Sequence, residues 1–390
     1  MLAFTAKRLI TPTETIERPL MLIDGGRIVE LASLAERAAP AGVALLDLGD
    51  CVIAPGLIDL HIHGGAGFDV MDAAPEALPS VEKLLARHGV TSYYPTTATT
   101  AMDITLRALD RLAGAIEHHP QHGVDVKDRA RPLGIHLEGP FISRVRKGMH
   151  PAEHLLPPTV GTFERFWQAA RGHIMMMTIA PELDGALEVI AEASRRGVCV
   201  SLGHSDADFQ AAEGGVAAGA RHATHTFNAM RPLDHRSPGI LGVALTDDRL
   251  SADMIADGVH LDPATVKLVA RAKGHERTVL ITDGTAATGM PDGHYHLGST
   301  EIEVKDGKCL SNGTLAGSVL TLDLAVRNLT SFAGWNLGEA VAAASRNPAR
   351  TARITNKGVL AAGADADFVV MNPAGHVLRT FVDGVECSAH

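Results

Sequence analysis

Eight apolar runs rich in β-branched residues recur through the middle of the chain. They lie near residues 56–62, 90–97, 133–138, 174–180, 198–203, 222–226, 251–256 and 278–282. Between them come amphipathic, alanine-rich segments such as PEALPSVEKLLARHG and LDGALEVIAEASRRG, the second ended by a glycine stop. Strands that alternate with helices need crossover connections, and these build a parallel sheet. Eight is the strand number of a (β/α)8 TIM barrel, whose usual size is ~250 residues. That is the expected architecture, with a doubly wound open sheet as the alternative.

The ends of the chain lack this alternation. LMLIDGGRIVEL carries a Gly-Gly turn between two apolar runs, which predicts a hairpin. ADFVVMNPAGHVLRTFVDGVE reads as strand, turn, strand. The two β-rich ends are expected to pack together. The division that follows is a small β-sandwich domain of residues 1–54 and 357–390, beside a barrel of residues 55–356. GSTEIEVKDGKCLSNGT, after the eighth run, reads as an inserted hairpin.

Composition narrows the class. Of 390 residues, 46% are hydrophobic and 21% charged, an ordinary globular balance. The net charge of -10 argues against a general nucleic-acid surface. No apolar run approaches the ~18 residues of a membrane span. MLAFTAKRLITPTET turns polar too early for a secretory signal. Cys51, Cys199, Cys309 and Cys387 are scattered without a CxxC pair, so reduced thiols and a cytoplasmic location are expected.

The first run closes with GLIDLHIHGG. Strand side chains alternate faces, so His61 and His63 aim at one spot. Two polar residues at a strand mouth are the bland reading, and the other strand ends decide against it. The third run ends at Glu138, the fifth at His204, the sixth at His225 and the eighth at Asp283. Barrel active sites sit at the C-terminal ends of the strands. Four histidines and two carboxylates on that rim form a donor set for Zn²⁺ or a similar divalent ion. The remaining histidines read as structural or solvated. His118, His119 and His122 form a solvated helix-end cluster, and His294 and His296 lie in the inserted hairpin. His136 shares a face with Glu138 but is assigned a structural role. His222 lies three residues before His225, so a regular strand would point the two apart.

This pattern resembles the amidohydrolase superfamily, as does the ending NPAR…KGVLAAGADADFVVMNP. HLEGPFIS, KGMHP, LGHSDAD, THTFNAM, DGVHLDP and ITDGT are similar to motifs of the N-acetylglucosamine-6-phosphate deacetylase family. The resemblance runs the length of the chain. It implies Glu138, His204 and His225 as the main metal ligands and Asp283 as the catalytic acid and base. It implies substrate contacts at His150, Asn228, Ala229, Arg236 and His260. Some members of the family lack the H-x-H and bind one metal. Its presence here implies a second ion at His61 and His63, with Glu138 bridging. Zinc is the expected metal, with Fe²⁺, Mn²⁺ or Co²⁺ as alternatives, and one or two ions per chain. The fourth run, IMMMTIAPE, has no lysine to bridge two metals, which argues against the ureidase and phosphotriesterase branches.

The implied reaction is hydrolysis of the acetamide of N-acetyl-D-glucosamine 6-phosphate, a small-molecule amino sugar phosphate. Within the family the arginine at the position of Arg236 can come from a neighbouring subunit, so a homodimer is expected. Arg231 is an additional cation without an assigned role. The galactosamine epimer is the nearest rival substrate. A deaminase or cyclic amidase within the superfamily, and a non-enzymatic scaffold that keeps the barrel, are further rivals.

Overall fold

The computed structural model describes residues 1–119 and 129–387. Eight parallel strands form the barrel: β1 (Leu57–Ile62), β2 (Val90–Thr97), β3 (Ile135–Glu138), β4 (Ile174–Ile179), β5 (Cys199–Leu202), β6 (His222–Ala223), β7 (Ser251–Met254) and β8 (Thr278–Leu280). They pair in sequence order from β1 to β8. The segment after β8 bridges back to β1 through Ile62 and Gly284, which draws the sheet nearly closed. The doubly wound alternative is thereby set aside.

Local chemistry explains the alternation. Helix Ala77–Arg87 buries Ala77, Val81, Leu84 and Leu85 along one stripe. Helix Ala186–Arg195 likewise buries Ala186, Val189, Ile190 and Ala193. That is the spacing of a helix laid against a sheet. After it, Gly197 at φ 87° supplies the left-handed residue that turns the chain into β5.

The barrel interior is polar beneath the site. Thr178 Oγ1 lies 2.8 Å from both His136 Nε2 and Thr224 Oγ1. Thr282 Oγ1 donates to Asp59 Oδ2 at 2.6 Å. These residues are fully or almost fully buried, so each polar group needs such a partner. Burial holds His136 well below the usual imidazole range, so its ring is neutral and acts as a strut, as its assigned structural role requires.

Both chain ends build two further sheets, mostly antiparallel. A six-stranded sheet places Val52–Pro55 between Arg8–Ile10 and Phe368–Met371, joining the first fifty-odd residues to the last strands. A four-stranded sheet contains the hairpin Pro19–Asp24 and Arg27–Ser33. Its turn is Gly25-Gly26, with φ 55° and 77°, as a tight hairpin turn demands. Phe4, Leu9, Met21, Ile28, Ile53, Phe368 and Phe381 fill the space between the sheets.

The insertion after β8 is larger than a hairpin. Gly293–Leu297, Thr300–Lys305, Lys308–Ser311 and Thr314–Leu315 form a four-stranded antiparallel sheet. In the solvated histidine cluster, His118 is exposed, whereas His119 is buried, its Nε2 3.8 Å from Glu82. Glu82 is itself buried, so the two side chains share one interior pocket. His122 lies outside the described residues.

Candidate metal centre

Each ligand candidate stands where a strand gives way to a loop. β1 delivers His61 and His63 on one face, with Nε2 atoms 3.2 Å apart. β3 ends at Glu138, which is 3% exposed. His204, His225 and Asp283 follow β5, β6 and β8 with φ 46°, 28° and 50°. Positive φ is uncommon for such residues and here redirects the backbone at the strand mouth. His222 turns its ring to Ser251 and Asp253, and His225 turns its Nε2 to Glu138. β6 ends at Ala223, so strand alternation no longer governs His225. Asp253 ties the two positions together: His222 Nε2 lies 2.8 Å from Oδ2, and the backbone N–H of His225 donates to Oδ1.

Glu138 is the hub. Oε1 lies 3.2 Å from His204 Nε2, 3.1 Å from His225 Nε2 and 3.4 Å from His61 Nε2. Oε2 lies 3.1 Å from His63 Nε2 and 3.6 Å from His150 Nε2. Asp283 Oδ1 lies 3.4 Å from His61 Nε2 and 3.2 Å from His63 Nε2. Two compact donor groups result, His61–His63–Glu138 and Glu138–His204–His225, sharing one carboxylate.

The donor set fits a divalent ion. Nδ1 of His63, His204 and His225 lies 3.0, 2.9 and 3.2 Å from the carbonyl oxygens of Thr96, Arg146 and Asn228. A carbonyl only accepts, so each Nδ1 carries a proton, and each ring turns its Nε2 inward, to a second proton or to a cation. His204 and His225 Nε2 are then 3.0 Å apart and both face Glu138. Lone pairs and carboxylate oxygens at these separations repel unless a cation or protons lie among them. His61 differs: its Nδ1 is buried and has no hydrogen-bond partner.

The electrostatics point the same way. Burial alone would raise the carboxyls, but His61, helped by bonds from His150, His204 and His225, holds Glu138 well below its usual range. His61 and His63 do the same for Asp283, so it is a carboxylate at neutral pH. Burial opposes charge on His225, yet Glu138 and then Asp283 push it up to about 9. His204 moves down to about 4, because burial and the neighbouring His150 and His225 outweigh Glu138. The field of two buried carboxylates thus calls for positive charge at this point.

A cavity of about 380 Å³ opens over the cluster. His63, Glu138, His204, His225 and Asp283 face it, as do His150, Asn228, Ala229 and His260. His260 is oriented by Asp257, whose Oδ2 lies 2.7 Å from its Nδ1. His61 sits beneath the cavity, fully buried. Arg236 is not brought to the site: it lies exposed on the loop after His225 and lines no part of the cavity. Arg231 reaches back instead, 3.4 Å from the carbonyl of Asp206.

Sequence reasoning overlooked Arg146, Leu297, Thr314 and Leu315, which also line the cavity. Arg146 immediately precedes the KGMHP motif, and that adjacency was the available signal. The other three come from the inserted sheet, whose packing over the barrel mouth has no local sequence signature.

Comparison with known proteins adds to the geometry. A model of the amidohydrolase family matches residues 52–387. The N-acetylglucosamine-6-phosphate deacetylase of Lysinibacillus sphaericus is 39% identical, over 88% of this chain and 87% of that protein. The N-acetylgalactosamine-6-phosphate deacetylase of Escherichia coli O157:H7 is 35% identical, over 97% of each. A solved structure from Mycobacterium smegmatis is similar with a TM-score of 0.91 at 35% identity, covering 99% of this chain and 98% of that one. It is a mutant N-acetyl-D-glucosamine-6-phosphate deacetylase in complex with N-acetyl-D-glucosamine-6-phosphate.

Proposed function

The chain belongs to the amidohydrolase family, among the N-acetylglucosamine-6-phosphate deacetylases, and from that premise we propose how its residues divide the work. The reaction converts N-acetyl-D-glucosamine 6-phosphate and water to D-glucosamine 6-phosphate and acetate. The observation that carries the assignment is Glu138 shared between two histidine groups, with Asp283 3.2 Å from one of them. Glu138, His204 and His225 would hold one divalent ion, and His61, His63 and Glu138 would hold a second. Zinc suits these nitrogen and oxygen donors. Such an ion, when bound, acidifies water and polarises a carbonyl.

The remaining roles fall to the protein. Asp283 is ionised, so it accepts a proton from the attacking water. It later returns that proton to the departing nitrogen, since an amide anion is a poor leaving group. His150, beside Glu138 at the cavity wall, donates to the acetyl oxygen as negative charge develops there. His260, held by Asp257, binds a sugar hydroxyl. Asn228 and Ala229 border the phosphate end.

Arg236 reaches that phosphate from a second copy of the chain, because its own cavity does not contain it. The functional unit is therefore a homodimer. Free thiols at Cys51, Cys199 and Cys309 suit a reducing compartment, and we place the protein in the cytoplasm. Among the described residues, no helix is long and apolar enough to cross a membrane.

Acetate release from N-acetyl-D-glucosamine 6-phosphate tests the reading. Ammonia instead of acetate would identify a deaminase. Higher kcat/KM on the galactosamine epimer would transfer the assignment to that sugar.

A further inference from the structure

A second concave site lies on the opposite end of the barrel. At the N-terminal ends of β5 to β8 a cavity of about 360 Å³ is lined by Arg221, Arg249, Arg277, Arg350 and Arg353. Only two carboxylates, Asp248 and Glu276, share the lining. Three of the arginines are paired: Arg249 with Asp247 at 2.6 Å, Arg277 with Asp248 at 2.5 Å and Arg350 with Glu276 at 3.2 Å. Arg221 and Arg353 have no carboxylate partner among the described residues. Arg221 spends one nitrogen on the carbonyls of Val216 and Ala220, at 2.9 and 2.6 Å. Arg277 presents a different deficit. Its Nε is buried and lacks any acceptor among the described residues.

Arg221 and Arg353 share one hollow with three paired arginines, and among the described residues no carboxylate offsets their charge. An anion relieves this. The arginine fork matches the paired oxygens of a phosphate better than any other side chain does. A concave volume of this size suits a small molecule. A polymer backbone would also have to approach a chain of net charge -10. We propose that this cavity is an anion site for the phosphate group of a small phosphorylated molecule, separate from the substrate site. Arg221 and Arg353 supply the uncompensated charge.

Calorimetric titration of the metal-loaded protein with inorganic phosphate, and separately with glucose 6-phosphate, tests this. The Arg221→Ala, Arg353→Ala double variant should lose one class of binding, with affinity there falling by roughly tenfold or more. Its kcat and KM for the acetylated sugar phosphate should match the parent, since neither arginine is near the reacting groups. Tighter binding of glucose 6-phosphate at this class would identify an organic phosphate as the ligand, and equal binding would identify free phosphate. A second measurement uses the unmutated protein. Phenylglyoxal labels accessible guanidiniums, and peptide mapping should find Arg221 and Arg353 protected when phosphate is present. Unchanged isotherms in the variant, or unchanged labelling with phosphate, would overturn the proposal.

Discussion

The backbone N–H of Asp283 donates to the carbonyl of His61 at 2.9 Å. This bond joins the segment after β8 to β1, and it does so between two members of the candidate centre. Closing the barrel and assembling the site are therefore one event. The N–H groups of His63 and Gly64 extend the seam, both donating to the carbonyl of Gly284. A substitution at Asp283 that spares the backbone keeps this seam.

That separation gives the first prediction. Asp283→Asn retains size and the main-chain bond to His61, so melting temperature and metal content should stay near those of the parent. Turnover should fall by about 10²–10⁴, the range for loss of a general acid and base. Turnover within threefold of the parent would remove Asp283 from proton transfer.

The two donor groups give the second. Metal-saturated protein should hold two ions per chain, counted by elemental analysis. The His61→Asn, His63→Asn double variant should hold one and retain partial activity, because Glu138, His204 and His225 are untouched. Glu138→Ala should lose both. His61 Nδ1 lacks the hydrogen bond that steadies the other rings, so chelator should strip the His61 and His63 site first. A parent that saturates at one ion would assign the paired histidines another purpose.

Much of this was legible in the chain, for physical reasons. The barrel strands announced themselves because buried parallel strands are rich in apolar residues, as LIDLHI at Leu57–Ile62 and IMMMTI at Ile174–Ile179 are, broken only by the few polar side chains that face the barrel interior. The ligands were visible because polar side chains at the ends of such runs are costly without a purpose. Less legible was whatever depends on chain direction outside regular elements. His225 reaches Glu138 because the chain leaves β6 after Ala223, and no alternation rule covers that exit. The distance between Arg236 and its own cavity is a property of a loop. The arginine cavity joins residues from 199 to 353, which nothing in their local sequence connects.

Glu82 gives a prediction about stability. Burial pushes its carboxyl up to about 7 from an ordinary 4.5, although Arg129, 3.5 Å away, and a bond from Tyr93 act the other way. The folded protein therefore holds this proton after the unfolded chain has released it. Stability contributed by Glu82 is present below pH 4.5, declines as pH rises to about 7, and is lost above that. Glu82→Gln keeps the shape and removes the titration. Its stability relative to the parent should increase between pH 5 and pH 8 by on the order of 2 kcal/mol, measured by urea unfolding. A difference independent of pH would show that the carboxyl titrates normally.

The last prediction concerns Arg236 and the second subunit. A sugar 6-phosphate carries close to two negative charges at neutral pH, and the net charge of -10 opposes its approach. Within one chain, Arg146 is the cation at the cavity, and it is engaged with Asp206 at 2.7 Å. Arg236 stays exposed on its loop, where its own backbone N–H is pinned by Asp234 at 2.8 Å. That loop also exposes Leu233, an apolar side chain suited to a contact between chains. Arg236→Ala should lower kcat/KM for the phosphorylated sugar by roughly 10²–10³, from the loss of a charged pair worth ~2–4 kcal/mol. Activity on unphosphorylated N-acetylglucosamine should change little, because that substrate never uses the contact. Complementation then locates the arginine. Mixing Arg236→Ala chains with Asp283→Asn chains should restore up to about a quarter of parental activity, through mixed dimers in which an intact Asp283 site receives Arg236 from its neighbour. No recovery in mixtures proven to exchange subunits would place the arginine in its own chain's site. Equal losses on both substrates would mean that the substitution damages the centre rather than the phosphate contact. Arg231→Ala run in parallel should leave the phosphate preference unchanged, since its guanidinium reaches toward Asp206.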